Sequence, residues 1–99
     1  MRVPRLTEEG IRERLAQVPG WTRTGEAIAR TYQFQGFRQA MAFVARVAEA
    51  AEAADHHPDM DIRYRKVTLL LTTHDSGGLT TNDFDLAAVC DALAGEGAQ

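Results

Sequence analysis

The three histidines of this 99-residue chain fall in two places: the run Asp55-His56-His57-Pro58 and the later His74. Histidine is the side chain whose unperturbed titration lets it take and give a proton near neutral pH. A pair of histidines in one loop and a third on another segment therefore suits acid–base chemistry. Taken alone, the pair fits better as exposed residues in a loop between a helix and a strand. His74 shifts the balance, because it ends an apolar strand-like segment and runs into the loop Asp75-Ser76-Gly77-Gly78. Site residues collect on such loops at the rim of a rigid sheet.

Carboxylates surround these histidines in the sequence. Glu49, Glu52 and Asp55 fall on one side of a helical stretch near its C-terminal end, where the negative pole of the helix disfavours them. Glu52 and His56 are four residues apart, within reach if the helix persists that far. A local rule broken beside titratable groups points to function, although each charge singly would fit a solvated face. Asp83 has a complete local explanation: Thr80-x-x-Asp83 has the form of a capping box, with Asp replacing the usual Glu or Gln.

Other chemistries fit less well. Three imidazoles and an aspartate could bind zinc, but adjacent histidines diverge along an extended chain, and the spacings of common zinc sites are absent. No metal is expected. Cys90, the only cysteine, sits in an apolar helical pattern and reads as a small core residue. No Gly-x-Ser-x-Gly elbow is present. No glycine-rich nucleotide loop occurs, so no nucleotide cofactor is expected. What remains is metal-free proton transfer by histidine. It suits an addition or elimination of water, in which one group takes a proton and another protonates the leaving hydroxyl.

These residues must be positioned by regular elements. Thr7-Glu8-Glu9 reads as a helix start, followed by Ile11, Leu15 and Val18 and stopped by Pro19-Gly20. Trp21–Thr24 and Ala27–Phe34 read as a hairpin about Gly25-Glu26. Ile28, Tyr32 and Phe34 share a face; Arg30 breaks that face, as either an edge position or a buried ion pair would require. Phe37–Ala54 is the strongest helical signal, with an apolar stripe of Phe37, Met41, Val44, Val47 or Ala48, and Ala51. Pro58 ends it and pushes His57 toward extended backbone. Asp61–Tyr64 and Val67–His74 read as two further strands joined at Arg65-Lys66, with Val67, Leu69 and Leu71 on one face. Thr80 opens a last helix, its apolar face Leu86, Val89, Cys90 and Leu93, before a polar tail over Gly95–Gln99. The order α-β-β-α-β-β-α predicts an antiparallel sheet with helices on one face, a two-layer α+β sandwich.

Composition bounds the rest. The length allows one domain, residues 1–99. An apolar fraction of 44% and a charged fraction of 25% are those of a soluble globular protein. A net charge of −3 without a basic run argues against nucleic-acid binding. The longest strongly apolar run, around Val67–Leu71, is too short to span a bilayer. The segment Met1–Glu9 has no apolar run of a secretory signal. The expected location is cytoplasmic, and a chain this small often assembles with itself.

Glu52, His56-His57-Pro58, Tyr64, His74 and Asp83 together resemble the signature of the pterin-4a-carbinolamine dehydratases. The likeness extends to Trp21, to Phe37-x-x-Ala40, to Thr73-His74-Asp75 and to Gly78-Leu79, and so covers nearly the whole chain. It implies a four-stranded antiparallel sheet with helices on one side. It implies dehydration of 4a-hydroxytetrahydropterin to quinonoid dihydropterin, a step that recycles the cofactor of aromatic amino-acid hydroxylases. His56 and His74 would act as acid and base. His57 would bind substrate and assist proton transfer, and Asp83 would support the cluster. Pro58, Thr73, Asp75 and Ser76 would join the histidines in lining the pterin pocket, with Glu52 and Tyr64 in support. No cofactor is implied; a homodimer or homotetramer is, and a hydroxylase would be a pathway partner. Some relatives instead act as dimerisation or assembly cofactors through a helical surface. Where relatives often carry a large aromatic, this chain has Met60, which bears on substrate preference.

Overall fold

The computed structural model describes residues 3–95. The first helix, α1 (Glu8–Gln17), starts at Thr7, whose side chain accepts the Gly10 N–H at 3.0 Å. This satisfies one of the amides that a helix start leaves free. The hairpin β1 (Thr22–Thr24) and β2 (Ala27–Gln33) comes next, then the long helix α2 (Phe37–Ala54). A second hairpin, β3 (Asp59–Arg63) and β4 (Lys66–Leu71), leads through a 3-10 turn at His74–Ser76 into α3 (Thr81–Ala94). The helix–strand order is the one the pattern predicts. Of the polar tail read over Gly95–Gln99, everything beyond Gly95 lies outside the described residues.

All strand pairs are antiparallel, in the order β1-β2-β4-β3. Ile28 faces Leu71, Arg30 faces Leu69 and Tyr32 faces Val67. Alternation then puts Ile28, Tyr32, Val67, Leu69 and Leu71 on one side of the sheet. These residues join Ile11 and Val18, Phe43 and Val47 of α2, and Phe84, Leu86 and Cys90 of α3 in one core. The opposite face carries polar pairs such as Thr31 and Thr68, whose hydroxyls lie 2.7 Å apart. No helix among the described residues is long and apolar enough to cross a membrane.

Arg30 resolves as an ion pair, since β2 is a central strand. Its Nη1 donates to Asp91 Oδ1 at 2.9 Å, and its guanidinium lies over the Tyr32 ring at 4.6 Å. Trp21 Nε1 donates to the same oxygen at 3.0 Å, and so does the Tyr32 hydroxyl. One carboxylate on α3 thus gathers three side chains from the first hairpin and the residue before it. Gly20 makes room, because a Cβ there would collide with the Arg30 guanidinium.

Three boundaries and two faces depart from the expected ones. The second hairpin turns at Tyr64-Arg65 rather than Arg65-Lys66, because Arg63 pairs with Lys66 and Tyr64 adopts a left-handed φ of 55°. β3 begins earlier, at Asp59, and β4 ends at Leu71, so His74 lies in the 3-10 turn and not on the strand. The buried stripe of α2 is Ala40, Phe43, Val47 and Ala51, while Phe37 is half exposed. The alanines of α2 extend its apolar surface beyond a single stripe, and the contact of Phe43 with Tyr32 and Phe34 (ring centroids 4.8 and 5.0 Å) sets its rotation. On α3, Phe84, Ala87 and Ala94 are buried and Val89 is exposed.

Candidate active site

The second hairpin brings the histidines together. β3 and β4 run antiparallel with Asp59 opposite Leu70. The segment entering β3 and the segment leaving β4 therefore meet at one edge of the sheet. A cleft of about 250 Å³ opens there, lined by Asp55, His56, His57, Thr72, Thr73, His74 and Asp75. All three histidines line it.

Helix α2 delivers the first two through its ending. Asp55 takes the left-handed conformation (φ 50°, ψ 43°), and the His56 N–H reaches back to the Ala51 carbonyl at 3.1 Å. Such a cap turns the chain sharply out of the helix. The turn overrides the expected i,i+4 contact of Glu52 with His56. Glu52 Oε2 instead lies 2.5 Å from His57 Nε2, and both side chains are largely exposed. His56 swings the other way, and its Nε2 lies 2.6 Å from Oδ1 of Asp83. His56 is 12% exposed and Asp83 fully buried.

Asp83 does more than cap. The capping box exists: Asp83 Oδ2 accepts the Thr80 N–H at 2.9 Å, and Thr80 caps α3 through its own side chain. The same oxygen accepts the Thr73 hydroxyl at 2.9 Å. That leaves Oδ1 for His56. A buried carboxylate is tolerable only when its oxygens are satisfied, and here each has a partner.

His74 sits in a closed loop. Thr73 and Gly78 exchange backbone hydrogen bonds at 3.2 and 3.3 Å, and Gly77 N–H donates to the His74 carbonyl at 3.0 Å. Gly77 has a φ of 74°, where a side chain is disfavoured. The N-terminal segment straps this loop from outside. Leu6 N–H donates to the Leu79 carbonyl at 2.9 Å, Arg5 Nη1 to the Gly77 carbonyl at 3.2 Å, and the Ser76 hydroxyl to the Val3 carbonyl.

The expected residues thus divide. His56, His57, His74, Thr73 and Asp75 line the cleft, with Asp83 behind His56 and Glu52 against His57. Pro58 is buried and the Ser76 hydroxyl is engaged by Val3; neither lines the cleft. Tyr64 is 67% exposed at the remote turn of the β3–β4 hairpin, roughly 17 Å along the strand from Asp59. The structure does not bring it to the histidines. Thr72 lines the cleft without having been singled out, and Asp55, read as one of the helix-end carboxylates beside the histidines, lines it too. Thr72 shares the strand parity of His74, which is the signal that could have found it. Among the described residues, no group of three or more His, Cys, Asp or Glu side chains is placed to hold a metal ion.

A two-layer α+β sandwich with a carboxylate-backed histidine cleft at its sheet edge is a scaffold for proton-transfer chemistry. The model of the family described as pterin 4 alpha carbinolamine dehydratase matches residues 4–93, and the chain belongs to this family. A Roseiflexus sp. (strain RS-1) protein described as a pterin-4-alpha-carbinolamine dehydratase is 58% identical over 89 residues, 90% of this chain and 96% of its own. One from Chloroflexus aurantiacus (strain J-10-fl) is 55% identical over 93 residues, 94% of this chain and 100% of its own. Among solved structures, a transcriptional coactivator/pterin dehydratase from Brucella melitensis superposes with a TM-score of 0.89. It is 39% identical, over 92% of this chain and 99% of its own. A pterin dehydratase-like protein described as a RuBisCO assembly factor in the alpha-carboxysome gives a TM-score of 0.67 at 25% identity, over 77% and 90% of the two chains.

Proposed function

We propose that the cleft dehydrates a 4a-hydroxytetrahydropterin, with His56 and His74 moving the protons and His57 holding the substrate. In this reaction the C4a–O bond breaks, N5 loses its proton, a C4a=N5 double bond forms and water leaves. One imidazole delivers a proton to the departing hydroxyl; the other takes the N5 proton. Each well-placed acid or base contributes roughly 10²–10⁴-fold. The observation that carries the reading is that three imidazoles line one cleft and one of them is fixed from behind by a fully buried carboxylate. Family membership supports the substrate class and the hydro-lyase reaction.

The side chains divide the labour by their surroundings. His56 is nearly buried and tethered, which suits a group that must keep one orientation through the reaction. His57 is 56% exposed with an exposed partner, which suits a mobile contact to the substrate. Self-assembly belongs to the same reading, supported by the exposed apolar side chains Phe37, Ile62 and Val89. Light scattering of the purified protein tests it, and a monomer mass removes it.

The deciding assay tracks the decay of 4a-hydroxytetrahydropterin by ultraviolet absorbance, with wild type and His74→Ala side by side. Wild type is expected to speed the decay and His74→Ala to lose most of that acceleration. Equal rates with and without wild-type protein would end the proposal.

A further inference from the structure

We infer that Thr73 and Thr80 are positioning residues that hold the Asp83 carboxylate with Oδ1 toward His56, so that Nε2 keeps its hydrogen and Nδ1 is the nitrogen that works on the substrate. The inference deepens the dehydratase reading and rests on it for the identity of the substrate. Its structural part stands on hydrogen-bond accounting alone.

The hydroxyl protons can be assigned in only one direction. A carboxylate only accepts hydrogen bonds. The single proton of the Thr73 hydroxyl is therefore committed to Asp83 Oδ2. Thr73 Oγ1 and Thr80 Oγ1 lie 2.8 Å apart. Since Thr73 has given its proton away, Thr80 must donate across that contact. Thr80 Oγ1 in turn accepts the Asn82 N–H at 3.2 Å. The chain of donors reads Asn82 to Thr80 to Thr73 to Asp83. It ends with Oδ2 occupied twice, by the Thr73 hydroxyl and the Thr80 amide.

His56 Nε2, at 2.6 Å from Oδ1, faces an acceptor that has no proton to give. Nε2 must carry the hydrogen. In the neutral ring the lone pair is then confined to Nδ1. Both threonines lie near the last helix's entrance: Thr80 is its N-cap and fully buried, and Thr73 opens the loop that holds His74. One network thus orients the carboxylate that sets the proton of His56 and ties the His74 loop to it. The Thr73 hydroxyl, expected to line the pocket as a ligand, is already engaged behind it.

Thr73→Val removes the donor to Asp83 Oδ2, leaves the Thr80 amide on that oxygen, and takes the acceptor from the Thr80 hydroxyl. Thr80→Val removes the other hydroxyl at some cost to the helix start. Thr73→Ser and Thr80→Ser restore the hydroxyls. The readout independent of activity is the ¹⁵N signature of His56, recorded where its ring is neutral. Wild type and both serine variants should show hydrogen on Nε2 alone. In Thr73→Val the carboxylate is free to turn from His56, and the spectrum should show a mixture of tautomers, with kcat lowered roughly 10-fold, KM held within about twofold, and kcat restored in Thr73→Ser. Hydrogen on Nδ1 in the wild type overturns the inference. So does a Thr73→Val protein with both tautomer and kcat unchanged. If wild type fails to speed dehydration at all, the functional reading falls, while the tautomer spectrum still decides the positioning claim.

Discussion

His56 and Asp83, 27 residues apart in sequence, meet through Nε2 and Oδ1 at 2.6 Å, with the carboxylate sealed from solvent. The contact joins the loop after α2 to the first turn of α3. Replacing the carboxylate by its amide leaves an oxygen for the Thr80 N–H but offers His56 no second full acceptor. Asp83→Asn is expected to lower kcat by roughly 10²-fold while destabilising the fold by only about 1–3 kcal/mol. Steady-state kinetics beside a urea melt checks both halves. A variant with near-normal kcat would separate Asp83 from the chemistry.

Glu52 and His57 form the opposite kind of pair, 2.5 Å apart with side chains 75% and 56% exposed. Exposed pairs contribute little and are screened by salt. Glu52→Gln should change KM by no more than about threefold and leave kcat alone, whereas His57→Ala should raise KM more strongly. KM measured at low and high ionic strength distinguishes the two, since only the first effect should fade with salt.

Asp91 receives Trp21, Arg30 and Tyr32 on a single oxygen. Asp91→Ala strands a guanidinium and two other donors against the core, at an expected cost of about 3–5 kcal/mol. Asp91 lies eight residues along α3 from Asp83, roughly 12 Å at the helical rise. Activity per folded molecule should therefore hold. A lowered urea midpoint with unchanged kcat is the expected pairing; a large loss of kcat in folded protein would contradict it.

Cys90 is fully buried, and burial, aided by the Asp91 charge, pushes its thiol up from 9.0 to about 12. The fold therefore favours the protonated thiol. The unfolded chain ionises near pH 9, so this stabilisation is whole below pH 9 and drains away as pH rises toward 12. Tyr32, raised by burial and by its bond to Asp91, acts in the same sense above pH 10. Stability should fall progressively above pH 9, by roughly 4 kcal/mol at pH 12 from Cys90 alone. Urea midpoints across pH 8 to 11 should show a shallower fall in Cys90→Ala.

The sequence reading succeeded where one element explains itself. Thr7 and Thr80 with Asp83 announce their helix starts, and β4 alternates plainly. It failed where a distant partner decides. Arg30 could not be placed without Asp91, 61 residues later. The cap at Asp55 swapped the partners of Glu52, a backbone choice that side-chain spacing does not reveal. Tyr64 in a left-handed turn position is rare enough to move a predicted boundary by one residue. Asp83 is the instructive case: its local role was read correctly, yet that role uses only one of its two oxygens. The second oxygen belongs to the site, and only the tertiary fold aims His56 at it.

The strap that Val3, Arg5 and Leu6 lay across the His74 loop has a practical side. It makes the front of the chain a poor handle. An affinity tag or fluorophore joined just ahead of Val3 would pull on the loop that presents a proposed proton carrier, so its fusion could be mistaken for an inactive enzyme. The turn at Tyr64-Arg65, exposed and a full strand length from the cleft, is the quieter port for a reporter.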